Sequence, residues 1–195
     1  NPIKIGTKLY YVDGSDGKIK WIEEGSLNLP QVISDDKSEL AKLFSYKNSL
    51  FFVNNSKGKQ LYEYQVNASS TENPKLVVKT EVYSFKIIGT DLTIYKSATD
   101  MVGMKISLVN GIDKGMANYV ASYIKGIELS TSTPATQPYT NKIVEAQRLV
   151  SMLTSAQLNE FNVILSEKDD PVETPRETVN KYLEKLEGVL TSTDS

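Results

Sequence analysis

A hairpin that returns about every 41 residues constrains this chain more than any other feature. Its first copy reads Leu9-Tyr10-Tyr11-Val12, then Asp13-Gly14-Ser15-Asp16-Gly17, then Lys18-Ile19-Lys20-Trp21-Ile22. Two apolar runs around Asp-Gly dipeptides form a hairpin because glycine accepts the positive φ of a tight turn. The second copy is Leu50-Phe51-Phe52-Val53, a turn over Asn54 to Lys59, and Leu61-Tyr62-Glu63-Tyr64-Gln65-Val66. A third runs Leu92-Thr93-Ile94-Tyr95, a turn region from Lys96 to Gly103, and Met104 to Val109. The leading leucines, Leu9, Leu50 and Leu92, stand 41 and 42 positions apart, a period that marks repeated supersecondary units stacked on a shared core. Further β-like runs, Leu40 to Tyr46 and Val82 to Ile88, precede the later hairpins, giving each unit three or four strands, the size of a propeller blade. Tyr119 to Leu129, with Tyr119, Ala121, Tyr123 and Ile127 among polar residues, reads as one more strand completing the last unit.

Composition removes whole classes of chemistry. With no cysteine there is no disulfide, thiolate zinc site or cysteine nucleophile, and with no histidine the commonest general base and transition-metal ligand are missing. Catalysis would have to rest on carboxylate, Lys, Ser or Tyr groups, so no enzyme is expected and no cofactor is implied. The net charge of −2 is spread along the chain without a basic block, which argues against a nucleic-acid partner. No run approaches the roughly 18 apolar residues of a membrane span. The start Asn1-Pro2-Ile3-Lys4 is neither a signal peptide nor an initiator methionine, and reads as an excised or processed piece.

The segments Leu-Tyr-Tyr-Val-Asp with Asp-Gly, and Leu-Phe-Phe-Val-Asn with Ser-Lys-Gly-Lys-Gln-Leu-Tyr, resemble blades of low-density-lipoprotein-receptor-type propellers over roughly residues 5–112. Bacterial surface and secreted proteins carry similar repeats. The resemblance implies a propeller-like or sandwich arrangement and an extracellular or cell-surface setting. The sequence departs from that family in lacking its YWTD-like tetrad and in having about three units where closed propellers use about 4 to 8 blades.

From Ser130 to Pro138 the chain turns polar and Pro-containing, the composition of a linker. Beyond it the period becomes helical: Ile143, Ala146, Val150 and Leu153 share one face, Leu158, Phe161 and Leu165 a second, and Val179, Tyr182, Leu183, Leu186 and Leu190 a third. Thr154-Ser155-Ala156-Gln157 and Thr174-Pro175-Arg176-Glu177 match the capping box, with Pro175 at the first helical position. This tail is similar to the FIVAR and albumin-binding three-helix modules of Gram-positive surface proteins. The expected architecture is therefore α+β: a β-repeat domain over residues 1–129, a linker over 130–139 and a three-helix bundle over 140–195.

Candidate sites are few. Tyr10, Tyr11, Trp21, Phe51, Phe52, Tyr62 and Tyr64 are the candidate ligand contacts, because aromatic faces stack on sugars or pack on proteins, although strand alternation must turn half of them into the core. Asp13 and Asp16 have the composition of a calcium loop but lack its remaining ligands, so turn chemistry accounts for them first. Glu167, Asp169, Asp170, Glu173 and Glu177 form an acidic stretch suited to a helix start. The pairs Glu23/Glu24 and Asp35/Asp36 are poor glycosidase candidates, since adjacent strand residues point to opposite faces. The expected function is a non-catalytic module of a bacterial surface or secreted protein, binding a protein or glycan. The alternative is an assembly component that self-associates through sheet edges, and the third reading is a carboxylate enzyme.

Overall fold

The computed structural model describes residues 2–66, 74–126 and 137–166. A β-rich N-terminal part of antiparallel sheets is followed, among the described residues, by three helices. The chain divides into two compact units, residues 1–108 and 109–195.

In the first unit, β1 (Ile3–Ile5), β2 (Lys8–Val12), β3 (Lys18–Glu23), β4 (Gln31–Tyr46), β5 (Ser49–Asn54), β6 (Gln60–Gln65) and β7 (Lys75–Val78) form one sheet in chain order. A second sheet holds β8 (Ser84–Ile88), β9 (Asp91–Tyr95) and β10 (Met104–Ser107), with β9 central. Both sheets stay open. β4 belongs to two repeats at once: its early residues pair with β3 at Trp21↔Gln31 and Lys20↔Val32, and its late residues pair with β5 from Leu43↔Phe52 to Tyr46↔Ser49. The first repeat is thus β1, β2, β3 and the start of β4. The second is the end of β4 with β5, β6 and β7, and the third is β8, β9 and β10.

The repeat seen in the sequence is carried by the backbone in two places. The first two strands of each repeat are joined by a two-residue turn, Gly6-Thr7, Lys47-Asn48 or Gly89-Thr90, whose first residue has φ of 61°, 51° or 60°. Each repeat has another positive φ on the residue just before its third strand, at Gly17 (74°), Lys59 (55°) and Gly103 (70°). One backbone hydrogen bond of 2.8 Å closes each repeat: Glu24 N–H donates to Thr7 O, Val66 N–H to Asn48 O, and Leu108 N–H to Thr90 O. In the first two repeats a side chain organises the second turn as well, Asp13 Oδ1 accepting from Ser15 N–H at 2.8 Å and Asn54 Oδ1 from Ser56 N–H at 3.0 Å.

Strand alternation gives each repeat two faces. The front face carries Leu9 and Tyr11 in the first repeat, Leu50 and Phe52 in the second, and Leu92 and Ile94 in the third. The back face carries Tyr10 and Val12, then Phe51 and Val53, then Thr93 and Tyr95. Tyr10 and Ile19 from the back of the first repeat form one buried cluster with Leu43, Leu50, Phe52 and Tyr62 from the front of the second. Phe52 stacks on its cross-strand partner Tyr62 at 6.0 Å. On the other side, Phe44 from the back of the second repeat meets Phe85 from the front of the third edge-to-face at 5.0 Å. The repeats therefore stack front on back, and β5 is buried from Leu50 to Asn54 because a neighbour covers each of its faces.

The second unit contains α1 (Ile112–Lys125), α2 (Gln137–Met152) and α3 (Ser155–Ser166), with α1 packed against both others. Here the structure corrects the sequence reading: Tyr119 to Lys125 are helical rather than a strand. Ile112, Met116, Val120 and Ile124 recur every fourth residue and are all buried, and Ala117 and Ala121 widen that stripe. Gln137 and Pro138, read as linker, open α2, where a first-turn proline gives up no intrahelical bond. The capping box at Thr154 is reciprocal, with Gln157 N–H donating to Thr154 Oγ1 at 3.3 Å and Thr154 N–H donating to Gln157 Oε1 at 3.0 Å. The helix expected around Val179 to Leu190, the second capping box and the acidic stretch from Glu167 lie outside the described residues.

The turn geometry makes a ranked prediction for urea denaturation. A Cβ at Gly89 meets nothing within 4 Å, so Gly89→Ala pays only the left-handed backbone, about 1 kcal/mol. Gly103→Ala must cost more, since its Cβ would stand 2.7 Å from Thr93 Cγ2 and 2.9 Å from Ile94 O. Lys47→Gly should be neutral or stabilising by about 0.5 kcal/mol, the relief of its positive φ outweighing glycine's chain entropy.

Candidate binding groove

Of the seven candidate aromatics, four are core. Tyr10, Phe51 and Phe52 are each 1% exposed and Tyr62 is 8% exposed, so the stacking of repeats uses them up. Tyr11, Trp21 and Tyr64 are half-buried. Tyr11 lies on the front of the first repeat and Trp21 on its back, while Tyr64 packs on the core cluster. The structure does not bring the seven together into one surface.

Trp21 borders a groove. A groove of about 610 Å³ is lined by Trp21, Ile22, Glu23, Leu27, Asn28, Leu29 and Gln31. The strand β3 fixes the indole between Tyr10 and Gln31 as register neighbours, and Lys8 Nζ sits 3.8 Å from the ring centroid, a cation–π contact that holds the ring's orientation. The loop after β3 is held at both ends. Ser26 N–H donates to Glu23 O at 3.1 Å, Asn28 N–H to Ser26 Oγ at 3.1 Å, and Gln31 Nε2 to Leu29 O at 3.2 Å. Thr7 Oγ1 donates to Glu23 and Lys4 pairs with Glu24, so this carboxylate pair is engaged in surface contacts. Between these anchors Leu27 and Leu29 point outward, 104% and 83% exposed. Covering one such leucine is worth about 2 kcal/mol, so the loop carries unspent apolar surface beside an aromatic ring.

The sequence reading passed over Leu27, Asn28, Leu29 and Gln31. The available signal was two leucines inside a turn-rich stretch bounded by Gly25 and Pro30, where apolar residues have no core to enter. A second exposed apolar pair, Met101 and Val102, sits on a turn in which Asp100 accepts from Gly103 N–H at 2.9 Å and Lys96 N–H at 3.1 Å. Those backbone donors hold the Asp100 carboxyl below its usual range. Neither of these two residues lines the Trp21 groove.

Asp13 and Asp16, the candidate cation ligands, close instead on the Lys20 ammonium at 2.7 and 2.8 Å. The lysine, followed by Ser15, holds the Asp13 carboxyl well below the carboxylate range, and Asp16 is lowered by the same lysine first. Lys20 is raised in turn. Their turn is also closed by Gly17 N–H donating to Asp13 O at 2.8 Å. Among the described residues there is no group of three or more ligating side chains suited to a metal ion, and no helix is long and apolar enough to cross a membrane.

Compared with known proteins, the chain matches no family model, no curated protein and no solved structure. The groove's own chemistry carries the functional reading.

The core position of Tyr10 has a titration consequence. Burial first, and the charge of Tyr64 second, push its phenol up to about 12 from 10.0. Between those values the unfolded chain binds fewer protons than the folded one, so Tyr10's contribution is complete below pH ~10 and is lost as pH rises toward ~12. Tyr10→Phe is expected to flatten this alkaline limb of the stability profile, measured by urea unfolding at a series of pH values; an unchanged limb would place the ionising phenol elsewhere.

Proposed function

We propose that this chain is a non-catalytic interaction module of a bacterial surface or secreted protein, and that its repeats form an open, propeller-like stack presenting the Trp21 groove to a protein partner. The observation that carries the reading is the pair of exposed leucines, Leu27 and Leu29, anchored beside a half-buried indole. Aromatic and aliphatic anchors next to a groove, ringed by polar groups such as Asn28, Gln31 and Glu23, are the composition of a protein-contact hot spot. A glycan site would also use the indole and the amides, but gains little from two bare leucines. The repeat resemblance supports the surface setting. Assembly through the β1 edge draws less support: it is three residues long, flanked by Pro2 and containing Lys4, features that discourage strand addition.

The test is peptide display on the immobilised chain, followed by titration of recovered peptides against the fluorescence of Trp21, the only tryptophan. Leu27→Glu with Leu29→Glu should weaken binding by about tenfold or more, equivalent to about 1.4 kcal/mol. Both side chains are exposed, so the melting temperature should not move. Binding indifferent to the double substitution, or confined to a glycan array, would overturn the protein-partner reading.

A further inference from the structure

The front-on-back stack has two ends, and they differ in chemistry. At the front positions, Leu50 and Phe52 are 0% and 1% exposed against the first repeat, and Leu92 and Ile94 are 0% and 3% exposed in the third. The matching residues of the first repeat, Leu9 and Tyr11, are half-buried, as is Ile22, and Val32 is 45% exposed. Register places all four on one face, through Leu9↔Ile22, Tyr11↔Lys20 and Lys20↔Val32. The first repeat therefore keeps an apolar front with no repeat before it among the described residues. Its cations are already engaged, Lys20 with Asp13 and Asp16 and Lys4 with Glu24, so neither lysine presents an uncompensated positive charge to an incoming apolar surface.

The opposite end is finished differently. The back of the third repeat has a buried Thr93 where the others have Tyr10 and Phe51, and around it the exposed side chains are mostly polar: Lys86 lies over Tyr95 at 5.3 Å and Lys105 pairs with Asp91 at 2.9 Å, with Ile88 the exposed aliphatic among them. A polar outer face is how stacked repeats end an array, whereas an apolar one continues it. We propose that the front face of the first repeat is a docking surface for one further β-sheet of the same repeat type, presented back face inward as the first repeat presents Tyr10 and Ile19 to the second. A second copy presented back face inward fits poorly, because that face carries Lys86 and Lys105, the latter 69% exposed against 17% for Lys20, and covering them with Leu9 and Tyr11 would cost their hydration. The surface shares Ile22 with the groove but neither loop leucine, so substitution of Leu27 and Leu29 and labelling at position 11 read different side chains and the two readings fail independently.

The absence of cysteine makes the test clean, since Tyr11→Cys places a single thiol on the face in question. A copy of residues 1–42 is joined ahead of residue 1 of the full chain, so that its β4 segment leads into β1 as it leads into the second repeat here. Maleimide labelling of the full chain's thiol should slow by about tenfold or more relative to the chain without the added repeat, the protection expected of a covered site. Tyr10→Lys and Ile19→Lys in the added copy should restore the faster rate. Unchanged labelling in the fused protein would overturn the proposal. Labelling that slows with rising concentration of the unfused Tyr11→Cys chain would also overturn it, by assigning the face to a second copy.

Discussion

The first unit depends on β5 being apolar on both sides. A strand with one buried face makes a two-layer protein, but Leu50, Phe51, Phe52 and Val53 in succession leave no face for solvent and require a sheet above and a sheet below. The neighbouring repeats supply them: Tyr10 and Ile19 close over Leu50 and Phe52, while Phe85 meets Phe44 on the other side. The aromatic content of the N-terminal part follows from this, since large rings fill the space between stacked sheets.

The same stacking explains why the second repeat tolerates lysine at both positions where the flanking repeats use glycine. Lys47 and Lys59 hold φ of 51° and 55°, a conformation that costs a non-glycine residue about 1 kcal/mol. The strain persists because the registers on either side, Tyr46↔Ser49 and Asn54↔Gln60, are fixed by a core buried on both faces. In the outer repeats, with one covered face each, the turns are made by Gly6, Gly17, Gly89 and Gly103.

Much of this architecture was legible because turn chemistry is local. Asp13, Asn54 and the glycines around them announce hairpins whatever packs on the strands, and the 41-residue period follows from the strands those turns connect. The capping box at Thr154 was legible for the same reason, as its two hydrogen bonds join residues three apart. What failed was period assignment where small residues dilute it: Gly111, Gly115, Ala117 and Ala121 weaken the helical stripe of α1, and the alternating Tyr119, Ala121 and Tyr123 imitate a strand. The candidate aromatics were found as residues but not sorted, because exposure of Trp21 and burial of Phe51 depend on which repeat covers which face. Leu27 and Leu29 stood out only as apolar residues in a turn-rich stretch, since their meaning as a site comes from the indole that lines the same groove.

Front-on-back stacking is tested most directly by double-mutant cycles at the second interface, read by urea unfolding. Phe44 and Phe85 touch across it, and the cycle of Phe44→Leu with Phe85→Leu should give a coupling of about 0.5–1.5 kcal/mol. Phe52 points to the other side of the same sheet, so Phe52→Leu with Phe85→Leu should be additive within about 0.5 kcal/mol. Coupling at Phe52 equal to that at Phe44, or none at Phe44, would contradict the assignment of faces on which the stack is built.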